Sequence, residues 1–463
     1  MSSLRSPDAA VIHRAPIHPL LVKELWEIAS GRALWIMLLI LCPLVGYSFF
    51  QAVALYGEAS VAAVDSPVLG SGLSPLDGVL VPTFGGLYLA ATLLFPFVAI
   101  RTLGREKESG ALALLVQLPY RVPALIVAKI TAIFAGWLAA VICAASALPV
   151  WLALGGHLDI PETLNLVVGH VLYGLLVGTI ALFSASISES AATAAIITLA
   201  FTIGSWVLDF ALAGQPGVLG WISQLSLTQT LRPFEQGLLS TGLLLGMLAA
   251  ICGFAALAAV WLHPGVRVST KMIRSAVCLT IVAGVIGLST QVGLSVDVTE
   301  DRRNSFPAAD QKALAELREP LIITVHLAPE DPRYVDLRRN VLAKLERVMP
   351  RVAIRLVTSG QSMVGSTSDE TYGEVEYSYA GRSDKSRSTS HREILPLIYA
   401  LAERPVPQPI AGQDYPGYPL LANGSPALAW FVGGLPLLTV LAWWRSRRPP
   451  QLAAHLMKNG GQG

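Results

Sequence analysis

The chain has 463 residues, 53% of them hydrophobic and only 14% charged, with a formal net charge of +2 and a mean hydropathy of +0.57. Soluble domains carry nearer a quarter charged residues, so composition excludes an ordinary soluble protein, and the near-neutral balance gives no reason to expect a nucleic-acid partner. The four cysteines, Cys42, Cys143, Cys252 and Cys278, all fall in apolar runs and read as small buried hydrophobes rather than as a disulfide or metal framework.

Eight apolar blocks reach the roughly 20 residues a membrane-crossing helix needs: Ala33–Leu55, Thr83–Ile100, Pro123–Leu154, Leu164–Ile187, Ala191–Leu212, Leu238–Leu262, Met272–Val292 and Pro426–Trp444. Only Ser188-Glu189-Ser190 separates the fourth from the fifth, which predicts an antiparallel hairpin. The third is longer than a span requires and predicts tilt or a short extension. The fold class expected is therefore a polytopic α-helical membrane protein of about eight transmembrane helices. An extracytoplasmic α/β domain is inserted between the last two.

Lys and Arg fix the expected orientation. Arg5, Arg14, Lys23 and Arg32 precede the first block. Arg101, Arg105, Lys107 and Arg121 follow the second, Arg267, Lys271 and Arg274 follow the sixth, and Arg445, Arg447 and Arg448 follow the eighth. The alternate short loops together offer only Arg232. Both termini are thus expected in the cytoplasm and residues 297–424 outside. The division expected is a tail and first short helix over 1–32, a six-span core over 33–262, spans at 272–292 and 426–444, and a tail over 445–463. Trp443 and Trp444 before the Arg cluster read as an interfacial anchor, and the chain after Pro450 as disordered.

Between the second and third blocks lies Arg105-Glu-Lys-Glu-Ser-Gly-Ala-Leu-Ala-Leu-Leu-Val-Gln-Leu-Pro119. Ala111, Leu114, Leu115 and Leu118 fall at i, i+3, i+4 and i+7, one face of a helix. Arg105 to Glu108 would place acidic groups at its start, where the helix dipole favours them, and Pro119 would stop it. The pattern fits an amphipathic helix in the membrane surface or against a partner, and equally an ordinary intracellular loop with a surface-bound helix.

In the polar segment, Leu321–Leu327 and Val352–Val357 read as strands around a helix over Tyr334–Val348, a parallel βαβ unit. Tyr372–Tyr379 reads as a further strand, Glu393–Ala402 as a helix and Gly360–Glu370 as a polar, mobile loop. Few ionisable groups fall near the apolar blocks: Lys129, His170, Glu189, Asp209 and Glu235. Lys129 is expected to snorkel to the cytoplasmic surface. His170 is the best interior polar candidate, either functional or a hydrogen-bonded packing histidine. Gly169, Gly174 and Gly178 line one helix and suit close helix packing, including across a dimer seam.

No G-x-x-x-x-G-K-[ST], His-Glu-x-x-His, paired-Cys or G-x-S-x-G pattern occurs, so neither enzymatic activity nor a metal or cofactor is expected of this chain. The polar segment lacks cysteine, which removes a redox role.

The run Arg105-Glu-Lys-Glu-Ser-Gly110, Leu114-Leu115, Leu118-Pro119, with Lys129 beyond, resembles the intracellular loop of type-2 ABC transporter permeases. Lys23-Glu-Leu-Trp26 resembles their elbow helix, and Leu225–Thr228 with Phe234–Gly237 their outer re-entrant helices, although the usual His after an aromatic residue is replaced by Arg232 and Pro233 nearby. The resemblance covers about Pro19 to Leu262. It implies that 105–118 is a coupling helix docking on a separate ATPase subunit through Arg105, Glu106, Glu108, Gly110, Leu114, Leu115, Leu118 and Pro119. It also implies a homodimer or permease pair in a bacterial cytoplasmic (inner) membrane, exporting a substrate. Asp297–Phe306, Leu317–Leu327 and Glu393–Ala402 resemble the auxiliary component of gliding-motility-type ABC transporters, so the chain resembles a permease fused to that partner. The alternative is a non-transporting anchor or assembly factor whose outer domain, 297–424, binds an envelope protein.

Overall fold

The computed structural model describes residues 17–64, 70, 72–118, 120–292 except 212–225, 294–328, 331–349, 351–357, 372–408 and 415–447, with the side chains of 209 and 210 also left aside. Pro119, Leu225, the Gly360–Glu370 loop, the side chain of Asp209, the first 16 residues and the tail after 447 lie outside the described residues.

Among the described residues, eight helices are long and apolar enough to cross a membrane. After the short α1 (Ile17–Ser30) come α2 (Arg32–Val64), α3 (Leu76–Glu108), the short α4 (Ala111–Gln117), α5 (Val122–Ala153), α6 (Ile160–Ile187) and α7 (Ala191–Ala211). The short α8 (Leu227–Glu235) and strand β1 (Leu238–Ser240) lead to α9 (Thr241–Leu262) and α10 (Val268–Ser289). The last long helix, named α14 below, is Ser425–Ser446.

Prolines shape the longer helices. Pro96 cannot donate to the carbonyl four residues back, and α3 breaks at Leu94. The freed Thr92 carbonyl accepts from Thr202 Oγ1 of α7 at 3.2 Å, so a sequence-imposed defect becomes a helix–helix bond. Pro149 acts similarly in α5, which breaks at Ser146. Ser146 Oγ then accepts from Trp430 Nε1 of α14 at 3.2 Å.

Helix α6 is the axis of the bundle and packs on α3, α5, α7, α8 and α9. Its glycines permit this. A Cβ at Gly174 would lie 1.9 Å from Trp137 Cε2, at Gly169 2.4 Å from Phe234 Cβ, and at Gly178 2.6 Å from Ile133 Cγ2. This small-residue stripe gives the close helix packing expected of it, inside the chain against α5 and α8. By contrast α10 and α14 bury little of themselves. They attach at the sides of α9 and α2.

Residues 295–402 hold a second core. Strand β2 (Ser295–Asp297) pairs antiparallel with β1, a ribbon of three residues each that the sequence reading lacked. Then follow α11 (Ala308–Ala315), β3 (Leu321–Val325), the helix α12 over 332–348, β4 (Val352–Leu356), β5 (Val375–Tyr379), β6 (Arg382–Ser386) and α13 (His391–Leu401). The sheet order is β4-β3-β5-β6, with β3 and β4 parallel and the other pairs antiparallel. Alternating burial on β3 and β5 aims Leu321, Ile323, Val325, Val375 and Tyr377 at the helices, where Leu337, Leu345 and Ile398 meet them.

The entry to this segment is tied to the span ends. Arg303 pairs with Asp77 and Asp301 and donates to Ser74 Oγ at 2.5 Å. Glu300 accepts from Tyr418 Oη at 2.5 Å and lies 2.8 Å from His157 Nε2. Its amide donates to Glu162 of α6 at 3.3 Å.

Candidate functional site

The charged run after the second apolar block divides between two helices. Gly110 adopts φ of 74°, a left-handed conformation that suits glycine. Arg105 to Glu108 are therefore the last turn of α3, and α4 begins only at Ala111. This corrects the single helix over 105–118, and with it the acidic start: Glu106 and Glu108 stand at a helix end, among Arg105 and Lys107.

Helix α4 projects from the bundle with no buried residue. Leu114 is 67% exposed and Leu118 47%, while Leu115 is half-buried. Arg105, Glu108 and Gly110 are exposed as well. An open groove of about 650 Å3 runs beside the helix, lined by Lys23, Glu27, Arg105, Leu114, Leu115 and Leu118. Burying one Leu side chain is worth about 1.5–3 kcal/mol, so this face carries several kcal/mol of unspent apolar surface.

What holds α4 in place lies at its base. Helix α1 buries Leu20, Glu24 and Ile28, spaced by one turn, against the bundle. Lys129 of α5 is wholly buried and does not snorkel, contrary to expectation. Its Nζ lies 3.1 Å from both Glu24 oxygens, 2.7 Å from Glu106 Oε2 and 2.7 Å from the Thr102 carbonyl. Lys23 joins from the solvent side, pairing with Glu24, Glu27 and Glu106. Two ammoniums and three carboxylates thus bind α1, the end of α3 and α5 into one unit. Burial alone would lower the Lys23 pKa, but the Glu106 hydrogen bond and the charges of Glu24 and Glu106 outweigh it and hold it raised. Burial pushes the Glu24 carboxyl up, and Lys129 pulls it back. Oxygens of Glu24, Glu27 and Glu106 lie within 4.8 Å of one another, a spacing a cation could use, but Lys23 and Lys129 already occupy that role.

Lys107 is the second tether. Its Nζ donates to the carbonyls of Ala185, Ser186 and Ser188 at 2.6, 2.9 and 2.8 Å. These belong to the last turn of α6, where carbonyls lack intrahelical partners and the dipole favours a cation. Sequence reasoning singled out neither Glu24 nor this use of Lys107. The only available signal was the charged trio Lys23, Glu24 and Glu27 in an otherwise largely apolar first helix.

Residues 19–236 match the family model described as ABC-2 family transporter protein. That match supports an ABC-2 type permease. No curated protein and no solved structure matches the chain. The permease match runs from α1 through α8 and encloses Glu24, Glu106, Lys107, Leu114, Leu115 and Lys129. The family implies a membrane setting and an ABC ATPase partner, and its members are transmembrane components rather than enzymes. Residues beyond 236, the Asp297–Phe306 entry included, fall outside the match.

His170 and Glu235 stand elsewhere in the matched region. His170 is wholly buried on α6, and Glu235 ends α8, 3.8 Å away. Neither ring nitrogen of His170 has a hydrogen-bond partner among the described residues.

Proposed function

We propose that the chain is the permease subunit of an ABC exporter and that α4 is its coupling helix. The observation that carries this reading is an apolar helix left exposed yet rigidly footed: Leu114 and Leu118 face outward, while Lys107, Glu106 and Lys129 fasten the adjoining turn to α1, α5 and α6. An ATPase docking on α4 would move the end of α3, and through Lys107 the axial helix α6. Force applied at one end of the bundle would then switch its packing. In this reading Arg105, Glu106, Glu108, Gly110, Leu114, Leu115, Leu118 and Pro119 form or shape the ATPase contact. Two permeases bracket the path in a bacterial inner membrane, with both termini cytoplasmic. Residues 297–424 lie outside as a module descended from a gliding-motility-type auxiliary component and open to an envelope protein.

The test is Leu114→Asp with Leu115→Asp. It removes the apolar surface and adds two charges that docking would have to desolvate. The variant is expected to insert normally and to lose co-purification of its ABC ATPase partner; unchanged co-purification overturns the proposal.

A further inference from the structure

His170 and Lys129 are the wholly buried basic side chains among the described residues, and Lys129 is fully paired. The His170 backbone carbonyl accepts from Trp137 Nε1 at 3.0 Å and its ring packs 5.2 Å from Phe84, yet neither ring nitrogen has a hydrogen-bond partner among the described residues. Glu235 Oε1 lies 3.8 Å from Nε2. That is somewhat under 1 Å beyond a normal N···O hydrogen bond of about 2.7–3.2 Å.

The neighbouring backbone keeps Glu235 there. Phe234, one residue earlier, is wholly buried and seated on Gly169, the residue before His170. Asn165 Nδ2 donates to the Phe234 carbonyl at 2.9 Å. Helix α8 is therefore pinned to α6 beside both members of the pair. At its other end Thr228 Oγ1 lies 3.1 Å from Tyr88 Oη of α3. A slight turn of α8, or a rotamer change at Glu235, closes the gap.

An unsatisfied buried polar group costs about 1–3 kcal/mol, and more when charged. An imidazole and a carboxyl facing each other in an apolar interior lower that cost together by holding a proton between them. We propose that His170 and Glu235 are a proton-binding pair, and that uptake of one proton closes the gap between Nε2 and the carboxylate.

Three other ionisable groups stand near the pair among the described residues: the Tyr88 phenol of α3, the Tyr173 phenol of α6 and Arg232 of α8. Helix α5 contributes the Trp137 indole, and α9 has no ionisable side chain but Cys252. Asp209 of α7 has its side chain outside the description. Burial pushes the Glu235 carboxyl up to about 7, with Arg232 pulling it back, so exchange falls near neutral pH. The Glu235 side chain, 23% exposed, gives the proton its route from solvent. In a permease this links the His170–Glu235 contact between α6 and α8 to the proton concentration on the side it faces. That consequence rests on the permease reading; the site itself does not.

The test is a pH-difference infrared spectrum of the full chain in phospholipid vesicles between pH 8.5 and 5.5. A protonated-carboxyl band should appear on acidification and be absent in E235Q. In H170L the band should shift, and its pH midpoint should fall by about one unit, a tenfold loss of proton affinity. Should H170L fail to assemble, H170Q, which cannot take a proton, must move the band and midpoint the same way. A band unchanged by both His170 variants, or a spectrum indifferent to E235Q, overturns the proposal. The measurement needs no ATPase, so its failure leaves the exporter reading standing, and failed ATPase docking leaves this one standing.

Discussion

Lys129→Met should be among the most destabilising single changes in the chain. The substitution keeps an unbranched apolar stem of similar length and removes only the charge. Lys129 Nζ has three carboxylate oxygens at 2.7–3.1 Å and the Thr102 carbonyl at 2.7 Å. Without it, Glu24 and Glu106, 1% and 3% exposed, are left side by side with only Lys23, whose side chain is 40% exposed. Removing one partner of a buried ion pair costs about 3–5 kcal/mol because the other charge stays buried. Losing an exposed helix pair such as Lys23–Glu27 costs only about 0.3–0.5 kcal/mol. The decisive comparison is the double variant K129M/E24Q, which leaves one buried carboxylate, Glu106, and the part-exposed Glu27 around one ammonium, Lys23. It should recover much of the loss. Thermal unfolding of the purified full chain, followed by loss of monodisperse elution, should rank wild type above K129M/E24Q and both above K129M, with K23M nearest wild type. A K129M protein as stable as wild type, or a double variant worse than the single, would refute the claim that the cluster is held by charge balance.

Other consequences follow from single positions. Gly174→Ala puts a methyl about 2 Å from the wholly buried Trp137. It should cost about 1–3 kcal/mol or more by overpacking, whereas Gly204→Ala, in open space, should be neutral or slightly stabilising in the same melt. Lys344, pushed down to about 8 by burial and then by Arg347, binds fewer protons folded than unfolded between that value and its ordinary 10.5. Its penalty is full below pH 8 and is relieved as pH rises toward 10.5. Lys344→Met should therefore slow hydrogen exchange at β3 amides at pH 7 and flatten the alkaline gain. Arg303→Ala should speed exchange at residues 299–304 more than Asp77→Ala does, since Arg303 also holds Ser74 and Asp301. The two changes together should act less than additively.

Much of the membrane part was legible because apolar length is a direct signal. The Ser188-Glu189-Ser190 break separates α6 from α7 as read. What composition could not reveal was helix that continues into charge. Helix α3 runs from Leu76 to Glu108, well past Thr83–Ile100, because Thr102, Leu103 and Glu106 face the bundle while Arg101 and Arg105 face away. The division at Gly110 depended on a positive φ, which a glycine permits but does not announce. In the polar segment, apolar β3 and β5 were visible and β6 was not. Arg382-Ser-Asp-Lys-Ser386 is nearly all exposed, an edge strand with no apolar face, joined to β5 through Ala380 and Gly381, both at positive φ. The Lys129 cluster was hidden for a different reason: its members come from three separate helices, Glu24 standing 105 positions before Lys129, and each alone looks like a surface charge.

The grip of Lys107 on α6 has a bearing on how such a chain can change over time. Its three partners are main-chain oxygens, which every amino acid supplies. Positions 185, 186 and 188 can therefore be swapped freely as far as this link is concerned. Position 107 can exchange only for a side chain that brings a cation just as far. A joint built this way concentrates its entire inheritance in one codon, and in relatives that keep the joint, variation should be wide on the receiving side and almost nil on the giving side.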